Sequence, residues 1–270
     1  MMAEIIEIEN GVYARIVEGL TNSGIIVGSS EIMVIDSLRV PSHARQLIDD
    51  VKRISDKPIK YLIDTHSHWD HSWGNEEFLN STIIGHSNCY KEMTDSSWNK
   101  QWLDKIVSAK DPWSKEAEIV NITPPNMTFN DQMTLFLDDR KIELKYFGKA
   151  HTSGDIFIHL PKENILFTGD VIQNKGIPFF GDSYPSDWME TSKKILNTKP
   201  TTFVAGHGKI GTYSDMIDAN NFVDEIINDC VQLKNKQPDQ ELINKYKEKY
   251  SGWRKIEMIE SSVLELVSRL

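Results

Sequence analysis

Three histidines and one aspartate fall within six residues, His66-Ser67-His68-Trp69-Asp70-His71, directly after the β-prone run Ile59 to Asp64. Imidazole nitrogens and carboxylate oxygens are the donors that Zn²⁺, Fe²⁺ and Mn²⁺ accept. A loop at the end of a strand can turn several side chains toward one point. His66 and His68, two apart, can share one ion, while Asp70 and His71 can face a second. A fold that uses this segment must bring other strand ends to the same place.

Later strand ends supply the candidates. His151 follows Tyr146-Phe147-Gly148-Lys149-Ala150, and His207 stands between two glycines after Phe203-Val204-Ala205. Glycines beside a ligand let the backbone approach closely or take positive φ. Asp170 closes the apolar run Leu166-Phe167-Thr168-Gly169. Its carboxylate can cap, form a turn or bridge two ions.

The remaining pattern frames these loops. Val12 to Val17, Gly24 to Gly28 and Ile32 to Ile35 are short β-prone runs separated by turn signals. Ser42 to Ile54 has helical spacing, with Ser42 as the expected N-cap after Pro41. Thr82 to Gly85 is read as a strand and Asn88 to Ala109 as one tryptophan-bearing helix. Met133 to Leu137 and Ile142 to Phe147 form a hairpin pair, and Ile156 to Leu160 and Ile165 to Thr168 repeat that pattern. Asp187 to Asn197 is expected to be helical, Thr202 to Ala205 a strand, and everything from Ser214 onward helix. Two β-rich blocks, each followed by helix, suit an α/β arrangement of two sheets packed face to face with helices outside. We expect residues 1–213 to form the catalytic domain and residues 214–270 a helical extension of it.

Composition narrows the partners. The 270-residue chain carries a net charge of −10, which repels phosphate backbones and anionic membrane faces. Its Lys-rich stretch, Lys234 to Lys249, is interleaved with acids and reads as a solvated helix face. No apolar run approaches a bilayer span. Met1 to Asn10 lacks the apolar core of a secretory signal, and the two cysteines, Cys89 and Cys230, lie far apart. No disulfide framework, no nucleic-acid or membrane partner, and a cytoplasmic location are the expectations.

The motif His-x-His-x-Asp-His, here His66, His68, Asp70 and His71, with His151, Asp170 and His207 following in order, resembles that of the metallo-β-lactamase fold superfamily. Val34-Ile35-Asp36, Thr65, His151-Thr152 and Gly206-His207-Gly208 fit as well, so the likeness runs from about Gly11 to Gly211. It implies a four-layer αββα sandwich of two mixed β-sheets. It implies two divalent ions, zinc first and iron or manganese as alternatives. His66, His68 and His151 would hold one ion, Asp70, His71 and His207 the other, and Asp170 would bridge. Many antibiotic-degrading members carry cysteine at the place of Asp170, whereas glyoxalase II, lactonase and ribonuclease Z relatives carry aspartate. Ala150 stands where a glycine is usual.

The resemblance implies a dinuclear hydrolase that uses a metal-bridging hydroxide, with Asp70 orienting it, on a small ester, lactone, thioester or amide. The alternatives are a mononuclear iron enzyme akin to persulfide dioxygenases, or a metal-dependent phosphodiesterase or nuclease. Asp64 is a candidate partner that orients a ligand histidine, or a plain strand-end polar residue. Trp69 and Trp73 either line the substrate site or belong to the core. Asn22 and Tyr184 are candidate substrate contacts, and Ile177-Pro178-Phe179-Phe180 either forms a pocket lip or packs. Ile256, Ile259, Val263, Leu264, Val267 and Leu270 recur at helical spacing. They pack on the main domain, or make a homodimer contact or a lid.

Overall fold

The computed structural model describes residues 3–233 and 239–270; part of the Lys-rich stretch, residues 234–238, lies outside the described residues. The first sheet is built from β1 (Glu4–Glu9), β2 (Val12–Ile16), β3 (Ser23–Val27), β4 (Ile32–Ile35), β5 (Ile59–Ile63), β6 (Thr82–His86) and β7 (Met127–Phe129), in that spatial order. Its first four strands pair antiparallel and the rest parallel. The second sheet holds β8 (Gln132–Leu137), β9 (Arg140–Tyr146), β10 (Ile156–Leu160), β11 (Ile165–Gly169), β12 (Thr202–Ala205) and β13 (Gly211–Thr212), in reverse order from β13 to β8. In it only β11 and β12 run parallel.

Side chains alternate across each strand, and both sheets are covered on both faces at their central strands, while alternate residues of the edge strand β8 stay exposed. Met33, Ile35, Ile63 and Ile84 meet Ile142, Ile156, Ile158 and Phe167 in the layer between the sheets. On the outer face of the first sheet, Ile32, Val34 and Leu62 pack on Ala44, Leu47 and Val51 of α1 (Pro41–Ile54). On the outer face of the second, Phe157, Leu166 and Phe203 meet Trp188 and Ile195 of α6 (Pro185–Leu196). They also meet Phe222, Val223 and Ile226 of α7 (Tyr213–Val231). The result is the expected four-layer αββα sandwich of two mixed sheets.

The helices depart from expectation in two places. The predicted long helix is two, α3 (Ser87–Thr94) and α4 (Ser96–Ala109), because the Asp95 side chain accepts from Ser97 N and Trp98 N and starts a new N-terminus. Ser42 does not cap α1. Val40 takes that position, Pro41 occupies the first turn, and the Ser42 hydroxyl donates to Glu116 at 2.6 Å. Two short helices, α2 (Trp69–Ser72) and α5 (Ser114–Ala117), complete this half of the chain.

After α7 come α8 (Gln240–Lys249) and α9 (Ile259–Arg269). Ile259 and Val263, with Leu266 between helical turns, are buried in one cluster with Phe222 and Tyr246, while Ile256, Val267 and Leu270 pack against it. Leu264 stays exposed. The apolar stripe is thus used largely within the chain. No helix among the described residues is long and apolar enough to cross a membrane. Cys89 and Cys230 are both buried and unbridged.

Candidate metal centre

The parallel strands β4 and β5 end side by side, and the chain leaves β5 through Asp64-Thr65-His66-Ser67-His68 into α2. Across the sandwich, β11 ends at Gly169-Asp170 and β12 at Gly206-His207. His151 precedes β10. All seven predicted donors therefore reach one end of the two sheets. His66, His68 and His151 form one group whose donor atoms lie within 4.8 Å of one another. Asp70, His71 and His207 form a second, and His66, His71 and Asp170 a third.

Each histidine is held by one ring nitrogen, and the other faces the donor cluster. Asp36 organises two of them. Its Oδ2 accepts from His71 Nδ1 at 2.7 Å and from the Thr65 hydroxyl at 2.9 Å, while its Oδ1 accepts from Thr65 N at 2.8 Å. With its proton committed to Asp36, the Thr65 oxygen accepts from His66 Nδ1 at 3.0 Å. His151 Nδ1 donates to the Phe179 carbonyl and His207 Nδ1 to the Leu20 carbonyl, both at 3.0 Å. His68 is reversed: its Nε2 donates to Asp182 at 3.2 Å, so that Nδ1 faces His151 Nε2 at 2.9 Å. A ligand histidine fixed through its second nitrogen presents the correct tautomer to an ion.

The inward atoms fit a cation. His66 Nε2, His71 Nε2 and Asp170 Oδ1 are buried and have no hydrogen-bond partner among the described residues. Buried polar atoms rarely stay unsatisfied. Gly206 leaves the space they share: a Cβ there would come within 2.1 Å of Asp170 Oδ1 and 2.6 Å of His71 Cε1. Burial and the neighbouring histidines push the His66 ring well below its usual pKa, and His151, buried beside His68, falls to about 3. Both are neutral and able to coordinate at neutral pH. Although burial opposes it, the histidines beside Asp70 and Asp170 hold both carboxyls well below the usual range.

The expected surrounding residues divide. Of the two readings of Asp64, the strand-end polar residue is the one seen: it is fully buried and accepts from Asn75 Nδ2 at 2.8 Å, while Asp36 bonds a ligand histidine. Asn22 is buried. Its amide donates to the Ala205 and Gly208 carbonyls, at 2.9 and 2.8 Å, and pins the loop that carries His207. Trp73 is core, packed with Val40, Ile106 and Ala117. Trp69 is half-buried and lies beneath the Arg39 guanidinium, 5.4 Å from its ring centre. Tyr184 starts α6, with Lys149 Nζ 4.5 Å from its ring centre. Of the apolar loop, Ile177 and Phe180 are buried, while Phe179 faces the His68 and His151 rings at 6.0 and 6.3 Å.

The side chains that wall the centre were not singled out from sequence. Trp98 stacks parallel to His68 at 6.0 Å, and Trp102 meets the same ring edge-on at 4.8 Å. Their signal was the i, i+4 spacing of two tryptophans on one helix. Thr21, whose hydroxyl donates to Asp70 at 3.0 Å, gave none.

The sequence model of the metallo-β-lactamase superfamily matches residues 16–207, which span this whole centre. The chain belongs to the metallo-β-lactamase superfamily. Among its relatives, the metallo-β-lactamase type 2 of Elizabethkingia meningoseptica is 27% identical over 191 residues, covering 69% of this chain and 68% of that protein. The 2,4-dinitroanisole O-demethylase subunit alpha of a Nocardioides species is 23% identical over 202 residues, covering 71% of this chain and 54% of the relative. Among solved structures, the metallo-β-lactamase from Pontibacter korlensis superposes with a TM-score of 0.69 at 17% identity, over 83% of this chain and 99% of that one. The family model and these relatives make this superfamily member a metallo-hydrolase.

Proposed function

We propose that this chain is a dinuclear metal-dependent hydrolase acting on a small ester, lactone, thioester or amide. One observation carries the reading: the Asp170 carboxylate lies between two donor groups. Its Oδ2 is 3.8 Å from His151 Nε2 and 3.3 Å from His207 Nε2, and its Oδ1 is 3.4 Å from His71 Nε2. His66, His68 and His151 would hold one ion, Asp70, His71 and His207 the other, with Asp170 between them. Nitrogen and oxygen donors of this kind suit zinc first, and iron or manganese after it. When bound, such a pair supplies a water made far more acidic than bulk water, and a Lewis acid for the substrate oxygen.

The chain's own residues do the rest. Asp70, at 15% side-chain exposure the most open of the three carboxylates Asp36, Asp70 and Asp170, would orient the attacking water. Trp98, Trp102 and Phe179 give an apolar wall that keeps bulk water from the reacting centre. A small organic substrate is the expected partner, and the charge of −10 supports this over a nucleic acid. The complete second donor group, Asp70 with His71 and His207, supports two ions over a mononuclear iron enzyme. The names of the relatives span β-lactams and a dinitroanisole ether, so the substrate must be read from this pocket.

The test is metal content of the purified protein, followed by a hydrolysis screen over lactones, thioesters, β-lactams and phosphodiesters. About two divalent ions per chain and turnover of an acyl substrate are expected. Iron with oxygen consumption, or turnover of phosphodiesters alone, would sink the reading.

A further inference from the structure

Beside Asp70 lies a cavity of about 100 Å³, lined by Arg15, Thr21, Arg39, His43 and Gln46 among others. Gln46 is exposed at its mouth, whereas Arg15, Thr21 and Arg39 are buried. That volume admits several waters or one small oxyanion.

The charges around it do not cancel. Arg15 is already spent on Asp50, at 2.6 Å. Glu116, the carboxylate near His43, is held by the Ser42 hydroxyl at 2.6 Å and by Arg45 at 3.6 Å. Arg39 is different. It is only 7% exposed, yet its Nε has no hydrogen-bond partner among the described residues. Its ion-pair contact there is Asp70 Oδ2, at 3.9 Å, too long for a hydrogen bond. Asp70 is itself engaged by Thr21 and faces His207 Nε2 at 3.2 Å.

The guanidinium is nonetheless held in place. Trp69 and Trp113 lie 5.4 and 5.0 Å from its carbon, and the His43 ring meets Trp113 edge-on at 5.8 Å. Indole faces satisfy the faces of a guanidinium and leave its in-plane N–H edge for hydrogen bonds. A buried cation with a donor unmet, here Nε, is costly unless a partner arrives. The matching partner is a planar carboxylate or one face of a phosphate, which takes two parallel N–H bonds.

We propose that this cavity is an oxyanion site, in which Arg39 binds a single carboxylate or phosphate group next to the metal centre. The group is either part of a substrate or a free anion. The site stands independently of the hydrolase reading, because its donors are not among the seven metal ligands.

Inorganic phosphate titrated calorimetrically into the full chain, as purified and again after chelation, tests it. One phosphate should bind per chain and binding should survive chelation. Arg39→Gln should weaken it at least tenfold. Gln46→Glu, which places a negative charge at the exposed mouth and leaves the core intact, should weaken it severalfold and keeps the test decisive if the first variant fails to fold. Binding that vanishes with the metal, or that Gln46→Glu leaves unchanged, overturns the site. The source follows from substrate pairs. A tenfold loss of kcat/KM in Arg39→Gln confined to carboxylated substrates, and absent for their methyl esters, assigns the anion to substrate. Phosphate binding that is noncompetitive with both assigns a free anion.

Discussion

Replacing Asp36 by asparagine isolates the orientation of two ligand histidines from the ligands themselves. Asp36 sits at φ 62°, a backbone state asparagine tolerates, so the fold should survive. One oxygen can still accept from Thr65 N. The other position becomes an amide that donates, facing two groups that also donate: His71 Nδ1 and the Thr65 hydroxyl. His71 can escape only by moving its proton to Nε2, the atom that faces Asp170 at 3.4 Å. The lost charge-assisted bond is worth about 1.5–3 kcal/mol, equivalent to roughly 10- to 100-fold in affinity, the range seen when the partner of a ligand histidine is removed. Metal affinity by competition with a chromophoric chelator should fall by that factor, and kcat/KM with it, and the thermal midpoint should drop by several degrees without loss of the fold. Asp36→Ala adds strain at positive φ and leaves Thr65 N unpaired, so it should lose stability as well. A folded Asp36→Asn protein with unchanged metal affinity and turnover would refute the reasoning.

His68→Ala removes a ligand outright and should cut turnover by about 100-fold or more, beyond the loss expected for an orienting partner, with lower metal content by elemental analysis. Trp102→Ala should raise KM with little change in kcat or metal content; a collapse of kcat would mean the wall is part of the reacting centre. Phe203→Ala, in the layer between the second sheet and α7, should cost about 3–5 kcal/mol in denaturant unfolding. Lys141 and Lys145, each 2.5 Å from Glu143, hold its carboxyl down to about 2 from 4.5. A folded pKa below the unfolded one stabilises above pH 4.5, and this contribution fades as pH falls from 4.5 to about 2. Glu143→Gln should therefore cost under about 1 kcal/mol at neutral pH and nothing at the acid end of that window, by melts across the range.

The ligands were legible because they cluster in sequence or follow β-prone runs, two of them beside glycines, and short apolar strands carried their own bounds, as in Ile156–Leu160 and Thr202–Ala205. Strand β1 was hidden because its edge position lets glutamates alternate with isoleucines, and β7 is only three residues long. The helix break at Asp95 was readable in principle, since Asp-Ser-Ser is an N-cap pattern. What holds the ligands was not. Asp36 meets His71 across 35 residues, Thr21 meets Asp70 across 49, and Asp182 meets His68 across 114. No local pattern encodes such pairs. The two readings of Asp64 stayed open for the same reason: two carboxylates precede the motif, and only the close ends of β4 and β5 decide which one reaches a histidine.

The C-terminal segment bears on the centre in a way its own sequence does not announce. The Arg254 side chain donates to the His207 carbonyl at 3.1 Å, and its backbone pairs with Lys175 and Ile177, in the loop that follows Asp170. Arg269, in the last turn of α9, lies 3.7 Å from Asp182, the carboxylate that fixes His68, and donates to the Ser183 carbonyl at 3.3 Å. Two arginines from beyond α7 therefore steady one loop from each proposed ion site. They do so through carbonyls and a carboxylate rather than by contact with a ligand ring. The buried stripe of α9 supplies the rigidity this requires, because a helix free to move could not hold Asp182 at a fixed distance from His68. The extension thus joins the core to the loops that carry the ligands, and its position follows from packing rather than from any motif.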